Sequence, residues 1–217
     1  MTIFILTVAA IVTAVFAIQG EYKPTRTQVY IFKPLTTLLI LGIALLGVSP
    51  NPLYKILILI GLVFCLGGDV FLMLPVKYFI MGLASFLIGH IFYIVAFVID
   101  GGFLLSLWLL PLLVYGVFIY WLLQPHLSKM RGPVIAYVVI ILTMAWQALA
   151  HWSLWHTTSA LLAASGAVFF VISDSILAVD RFRGKFRSAR VLVLSTYWLA
   201  QWLIALSVGG YSAFVAS

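Results

Sequence analysis

Eight long apolar runs constrain this chain more than any other feature of its sequence. An α-helix needs about 17–25 such residues to cross the hydrocarbon core of a bilayer. The runs cover residues 1–19, 31–48, 53–74, 78–99, 103–123, 133–150, 157–179 and 191–215. The first run lacks the basic start and the cleavage site of a signal peptide, so we expect it to remain as a helix. We therefore predict an all-α polytopic membrane protein, an eight-helix bundle that forms a single membrane domain over residues 1–217.

The few charged residues support a membrane location. The chain is 65% hydrophobic and 8% charged, and five acids with twelve bases are too few to cover the surface of a soluble core. The formal net charge of +7 is typical of a membrane protein with basic loops beside lipid headgroups, and we do not expect a nucleic-acid partner. Cys65 is the one cysteine, so the chain forms no internal disulfide.

Basic residues alternate between the connections and predict the orientation. Eleven of the twelve lysines and arginines fall in or beside the first, third, fifth and seventh connections, and only Lys55 lies on the other side. By the positive-inside rule the basic side is cytoplasmic and both termini lie outside, most simply in a bacterial inner membrane. The eleven are Lys23, Arg26, Lys33, Lys77, Lys129, Arg131, Arg181, Arg183, Lys185, Arg187 and Arg190.

Two aspartates interrupt the apolar runs. Asp69 lies within residues 67–74 and Asp174 within residues 169–178. A charged side chain inside a bilayer costs several kcal/mol unless it is paired, hydrated or neutralised, so such residues are often functional. Both helices run toward the cytoplasm in the predicted topology, and this places the two carboxyls at similar depth near the cytoplasmic side.

Residues spaced by four predict which helix faces point inward, because such residues share one face of a helix. A small residue on that face lets a neighbouring helix approach closely. The third, fourth and seventh helices each carry such a series, respectively Gly61, Cys65 and Asp69; Gly82, Phe86 and His90; and Gly166, Phe170 and Asp174.

Several interpretations of these polar groups remain open from the residues alone. Each aspartate could be a structural hydrogen-bonding group or an ion-pair partner of Lys33, and His90 could simply bond to a neighbouring helix. The four histidines are scattered, no serine has a Gly-x-Ser-x-Gly setting, and there is no glycine-rich phosphate loop. We therefore expect no metal and no cofactor. Acid/base chemistry by carboxylates remains, as does a carrier that binds its cargo or protons at the two aspartates.

A series of short motifs, taken in order, resembles the YhhN family, which contains the transmembrane lysoplasmalogenases. The resemblance runs from the second predicted helix through the eighth. The motifs are FKPLTT (32–37), GDVFLM (68–73), FLIGHIFY (86–93), AY (136–137) with Met144, GAVFF (166–170) and SDSILA (173–178), followed by Tyr197 and Gln201.

The resemblance implies a hydrolase that cleaves the vinyl ether bond of lysoplasmalogens, with a lysophospholipid as substrate. The two membrane aspartates of the family match Asp69 and Asp174, which we expect to be the catalytic acid and base in an order that the sequence leaves open. Lys33 could bind the lipid phosphate or hold one aspartate ionised, and His90 could orient water. The expected substrate-binding or supporting residues are Lys33, His90, Tyr93, Tyr137, Ser173, Tyr197 and Gln201.

Overall fold

The computed structural model describes residues 1–209 and confirms the predicted fold class. It has eight helices that are long and apolar enough to cross a membrane, and residues 1–209 contain no strand. The chain is an integral, multi-pass, all-α membrane protein. Its helices are α1 (Thr2–Glu21), α2 (Thr27–Leu46), α3 (Pro52–Met73), α4 (Phe79–Gly101), α5 (Leu109–Leu123), α6 (Arg131–Trp155), α7 (Thr158–Ala178) and α8 (Ala189–Ser207). The last six residues of the eighth predicted run, 210–215, lie outside the described residues.

Local capping explains where two of the site-bearing helices begin. The Asn51 side chain accepts hydrogen bonds of 3.2 Å from the backbone N–H groups of Leu53 and Tyr54, and Pro52 occupies the first turn of α3. Thr157 caps α7 in the same way. These side chains satisfy backbone donors that have no partner within the helix.

Two predicted helix boundaries within residues 1–209 differ from the structure by five residues or more. The fifth helix begins at Leu109 instead of residue 103, because the chain leaves α4 through Gly102, whose φ of +80° is unsuited to most other residues. Residues 103–108 are apolar, and hydropathy alone does not separate an apolar loop from a helix start. The sixth helix extends past residue 150 to Trp155, and His156 ends it in a left-handed conformation.

The helices pack as sequential antiparallel pairs, α1 with α2, α3 with α4, and α7 with α8, and α6 joins α4 to α7. Glycines allow the closest approaches. A methyl group on Gly61 would lie 2.3 Å from the Tyr93 ring, and one on Gly166 would lie 2.8 Å from the carbonyl oxygen of Ala200. The predicted inward faces of α3 and α4 are confirmed, and on α7 only Asp174 remains partly exposed.

Many charged residues lie around a cavity at one end of the bundle. The last residues of α1, α3 and α7 and the first turns of α2, α4 and α8 border a common cavity there. We call this end the basic end. In contrast, α5 packs mainly on α6, and only Gly116, Ile119 and Leu123 of its residues are buried, as in a lipid-facing helix.

Candidate active site

Asp69 lies on α3, four residues before Met73, and is only 1% exposed. Its Oδ2 accepts hydrogen bonds from Thr37 Oγ1 at 2.7 Å and from Tyr197 Oη at 2.8 Å. Lys33 Nζ lies 3.4 Å from its Oδ1. Lys33 was expected either to bind the lipid phosphate or to pair with an aspartate. In this structure its ammonium group lies beside the carboxyl group of Asp69. One cation and two hydroxyl donors thus surround the carboxyl group of Asp69.

A second layer of hydrogen bonds holds these donors in place. Gln201 Nε2 donates to Tyr197 Oη at 3.2 Å, and Tyr93 Oη donates to Gln201 Oε1 at 2.8 Å. Trp198 Nε1 donates to Thr37 Oγ1 at 3.3 Å. The structure thus brings three of the predicted supporting residues, Tyr93, Tyr197 and Gln201, into one network with Asp69.

Thr37 was not among the predicted site residues. It follows Lys33 by four residues, so the two share a face of α2 and both reach Asp69. The i, i+4 spacing that we applied to the glycine-containing faces would have identified it.

Asp174 lies on α7, four residues before Ala178, and is partly exposed. Its side chain accepts a short hydrogen bond from the Tyr137 hydroxyl. This is its one side-chain partner within residues 1–209, and it is a neutral phenol. The two aspartates therefore occupy equivalent positions on their helices but have different surroundings.

Ser173, one of the expected substrate-binding or supporting residues, forms no hydrogen bond with either aspartate within residues 1–209. Its hydroxyl donates to the carbonyl oxygen of Val193 at 3.1 Å and ties α7 to α8. The neighbouring Ser175 accepts a hydrogen bond of 2.7 Å from Tyr115 Oη and thereby joins α7 to α5. The Ser173 hydroxyl therefore supports the packing of α7 on α8.

His90 is fully buried among aromatic rings between the two aspartate groups. Its ring centroid lies 4.5 Å from that of Phe170 and 5.5 Å from that of Tyr137. Phe170 in turn lies 5.5 Å from Tyr197. Within residues 1–209, neither ring nitrogen of His90 has a hydrogen-bond partner, so the helix-bridging bond that was one interpretation of this residue is not seen there. Rings thus separate Tyr197, which bonds Asp69, from Tyr137, which bonds Asp174.

Two cavities meet beside these groups. The first, the apolar cavity, lies between α5 and the α3, α4, α6 and α7 helices, and its walls include Phe86, Ile119, Val138 and Leu142. Its polar lining residues are Tyr115, Tyr137, Asp174 and Ser175. The second, the basic mouth, opens at the basic end and has a volume of about 260 Å³. Its charged lining residues are Glu21, Arg26, Lys33, Asp180, Arg181, Lys185 and Arg190.

The two cavities share three lining residues, Leu72, Phe79 and Leu177. Asp174 lines the apolar cavity, whereas Asp69 lines neither cavity and lies behind Lys33, a residue of the basic mouth. Within residues 1–209, no three His, Cys, Asp or Glu side chains come close enough to hold a metal ion together. The arrangement places one carboxyl group, that of Asp174, on the wall of an apolar cavity that shares lining residues with a cationic one.

Comparison with known proteins identifies the family. The YhhN family model matches residues 28–208, which is most of the chain. The chain belongs to the YhhN family. The resemblance inferred from the sequence motifs is therefore confirmed, and no solved structure shows a significant match.

Among relatives of this YhhN-family chain, Lysoplasmalogenase TMEM86A of Homo sapiens is 39% identical over 156 residues, 69% of this chain and 64% of the human protein. Lysoplasmalogenase TMEM86B of Homo sapiens is 34% identical over 162 residues, 73% of this chain and 66% of the relative. Uncharacterized membrane protein YhhN of Escherichia coli O157:H7 is 28% identical over 203 residues, 93% of this chain and 97% of the relative. The match thus spans less than two thirds of the length of human TMEM86A.

Proposed function

We propose that this protein hydrolyses the vinyl ether bond of lysoplasmalogens, releasing a fatty aldehyde and glycerophosphoethanolamine or glycerophosphocholine. Relatives that are 34–39% identical carry the name lysoplasmalogenase. The single structural observation that carries the proposal is the position of Asp174, a carboxyl group on the wall of an apolar cavity. An alkenyl chain in that cavity would pass beside a proton donor.

The chemistry of a vinyl ether explains why a carboxyl group is needed there. Hydrolysis begins when an acid transfers a proton to the β-carbon of the double bond, which leaves an oxocarbenium ion at the carbon attached to oxygen. Water adds to that carbon and loses a proton, giving a hemiacetal. The hemiacetal then collapses to the aldehyde and the alcohol. The reaction consumes one water molecule and returns the proton, so one carboxyl group can act first as acid and then as base.

Asp174 is our candidate for this proton transfer. Apolar surroundings favour the neutral form of a carboxyl group, and the Tyr137 hydroxyl can donate to its carbonyl oxygen without removing the proton. After Asp174 protonates the substrate, the resulting carboxylate is placed to accept a proton from the attacking water. Glycosidases also pass through an oxocarbenium-like state and switch one carboxyl from acid to base.

Asp69 is our candidate for the ionised carboxylate of the pair, because it has a cation and two hydroxyl donors as partners. Lys33, Thr37 and Tyr197 fix it behind the cavities, where its negative charge would favour formation of the oxocarbenium ion through a medium of low dielectric constant. It would also hold Lys33 at the basic mouth. His90 lies between the two groups and would hold the Phe170 and Tyr137 rings that separate them. Tyr93 and Gln201 would keep Tyr197 in position to donate to Asp69.

The direct test uses purified Asp174→Asn and Asp69→Asn variants with a lysoplasmalogen, and mass spectrometry of the aldehyde product. Each variant should lose vinyl ether hydrolysis while it keeps wild-type helicity and elution volume. Full activity of either folded variant would reject its assigned role. A carrier that binds at these aspartates would leave the lysolipid chemically unchanged, so wild-type aldehyde release also distinguishes the two functions.

Deuterium oxide tests the protonation step itself. Aldehyde released in this solvent should carry one deuterium on the carbon next to the carbonyl, because that carbon received the catalytic proton. Unlabelled aldehyde incubated with the same protein corrects for exchange after release. Aldehyde without deuterium would exclude protonation of the double bond and with it the role of Asp174.

We also propose that the basic end faces the cytoplasm and that, in a bacterium, the protein lies in the inner membrane. The support is the one-sided distribution of lysines and arginines. Cys65 is fully buried and gives little background to a thiol reagent. In spheroplasts, a membrane-impermeant maleimide should label Phe103→Cys but should label Arg183→Cys only after permeabilisation. The opposite pattern would reverse the proposed orientation.

A further inference from the structure

The basic mouth contains more positive than negative side chains. Five cations line it with two acids, Glu21 and Asp180. The cations come from separate parts of the chain: the start of α2, the turn after α7, the following loop and the start of α8. Such convergence in a concave site of about 260 Å³ raises the local affinity for an anion.

The carboxylates present do not neutralise this cluster. Arg190 pairs with Glu21, and Lys33 pairs with Asp69. Asp180 accepts a hydrogen bond of 3.1 Å from the backbone N–H of Phe186. The other three cations, Arg26, Arg181 and Lys185, form no ion pair within residues 1–209.

Arg181 is held in position without using its charge on a carboxylate. Its guanidinium carbon lies 4.4 Å from the centroid of the Phe79 ring. An arginine that stacks on an aromatic face keeps N–H donors at its edge for a phosphate or carboxylate oxygen. Phe79 also lines the apolar cavity, so the same ring borders both spaces.

We propose that the basic mouth is the phosphate subsite of the enzyme, with Arg26, Arg181 and Lys185 as its ligands. A single lysophospholipid would place its phosphodiester there, pass Leu72, Phe79 and Leu177, which line both cavities, and extend its chain along the apolar cavity past Asp174. This assignment rests on the proposed function for the identity of the lipid. The cationic groups would then set which part of the chain stops beside the carboxyl.

Binding of an uncleavable lipid tests the subsite independently of turnover. The probe is a saturated 1-alkyl ether lysophosphoethanolamine, which has no vinyl ether, compared with the 1-alkylglycerol of the same chain, which has no phosphate. Wild-type protein in detergent should bind the phospholipid about tenfold more tightly or better, since hydrogen bonds to charged groups are the strong ones. Arg181→Ala and Lys185→Ala should each remove most of that difference and leave alkylglycerol binding unchanged.

Arg183→Ala is the matched control, because it removes the same charge from the same turn and Arg183 lines neither cavity. It should bind both lipids as the wild type does. Equal wild-type affinities for the two lipids, or an equal loss in Arg183→Ala and Arg181→Ala, would overturn the subsite. The latter result would mean general attraction to the basic surface.

Inorganic phosphate separates the two possible sources of the anion. A subsite for a lipid headgroup should bind inorganic phosphate much more weakly than the phospholipid, and phosphate should compete with the phospholipid and not with the alkylglycerol. Equally tight binding of inorganic phosphate would overturn the lipid assignment. Wild-type protein that binds the phospholipid selectively but releases no aldehyde from a lysoplasmalogen would reject the proposed reaction while it supports the subsite.

Discussion

Replacement of Lys33 by methionine tests the buried ion pair on which the Asp69 site depends. Lys33 and Asp69 are 6% and 1% exposed, and Lys33 Nζ lies 3.4 Å from Asp69 Oδ1. Opposite charges at this distance attract by about 5 kcal/mol at an effective dielectric constant of about 20, and desolvation of both ions offsets part of that attraction. Methionine keeps the length of the apolar stem but leaves the carboxylate without its cation.

We expect Lys33→Met to lower the free energy of unfolding by about 3–5 kcal/mol, the usual cost of removing one partner of a buried pair. The measurement is loss of helicity on titration with sodium dodecyl sulfate in mixed micelles. Lys77→Met is the control, because Lys77 is exposed at the same end, and it should change stability by less than about 0.5 kcal/mol.

A double-mutant cycle isolates the pair itself. Asp69→Asn combined with Lys33→Met removes both charges, and Thr37 and Tyr197 can still donate to the amide oxygen. The double variant should therefore be more stable than Lys33→Met alone. Lys33→Met with wild-type stability, or a coupling energy of zero in the cycle, would refute the assignment of a charged buried pair.

Two further predictions concern packing and the apolar cavity. Gly68→Ala should destabilise the bundle by about 1–3 kcal/mol, because its methyl group would lie 2.5 Å from the Phe86 ring, whereas Gly132→Ala, with open space around it, should be neutral or stabilising in the same titration. Equal effects of the two changes would contradict the packing argument. Ile119→Trp should raise KM for a long-chain substrate about tenfold by excluding about two methylene groups from the apolar cavity. Val117→Trp is the control and should leave KM unchanged, because Val117 is 68% exposed and does not line that cavity. Similar KM values for the two variants would show that the chain binds elsewhere.

Local sequence signals predicted the framework because they depend on one helix at a time. Run length gave eight helices, and four-residue spacing gave the inward faces that carry Asp69 and His90. The predicted start of α5 was wrong because residues 103–108 form an apolar loop, and hydropathy does not distinguish such a loop from a helix. Ser173 and Asp174 are adjacent in sequence but bond to different helices, α8 and α6, and adjacency in sequence does not predict this.

The sequence by itself determined the class of the protein, the two intramembrane carboxyls and their equal distance from the ends of their helices. Only the tertiary structure decided their different partners, with Lys33, Thr37 and Tyr197 around Asp69 and Tyr137 beside Asp174. The physical reason is that hydropathy and periodicity are properties of one helix. Which hydroxyl or ammonium reaches a carboxyl depends on how several helices are rotated and packed against each other. The same packing places Leu72, Phe79 and Leu177 on the walls of both the apolar cavity and the basic mouth.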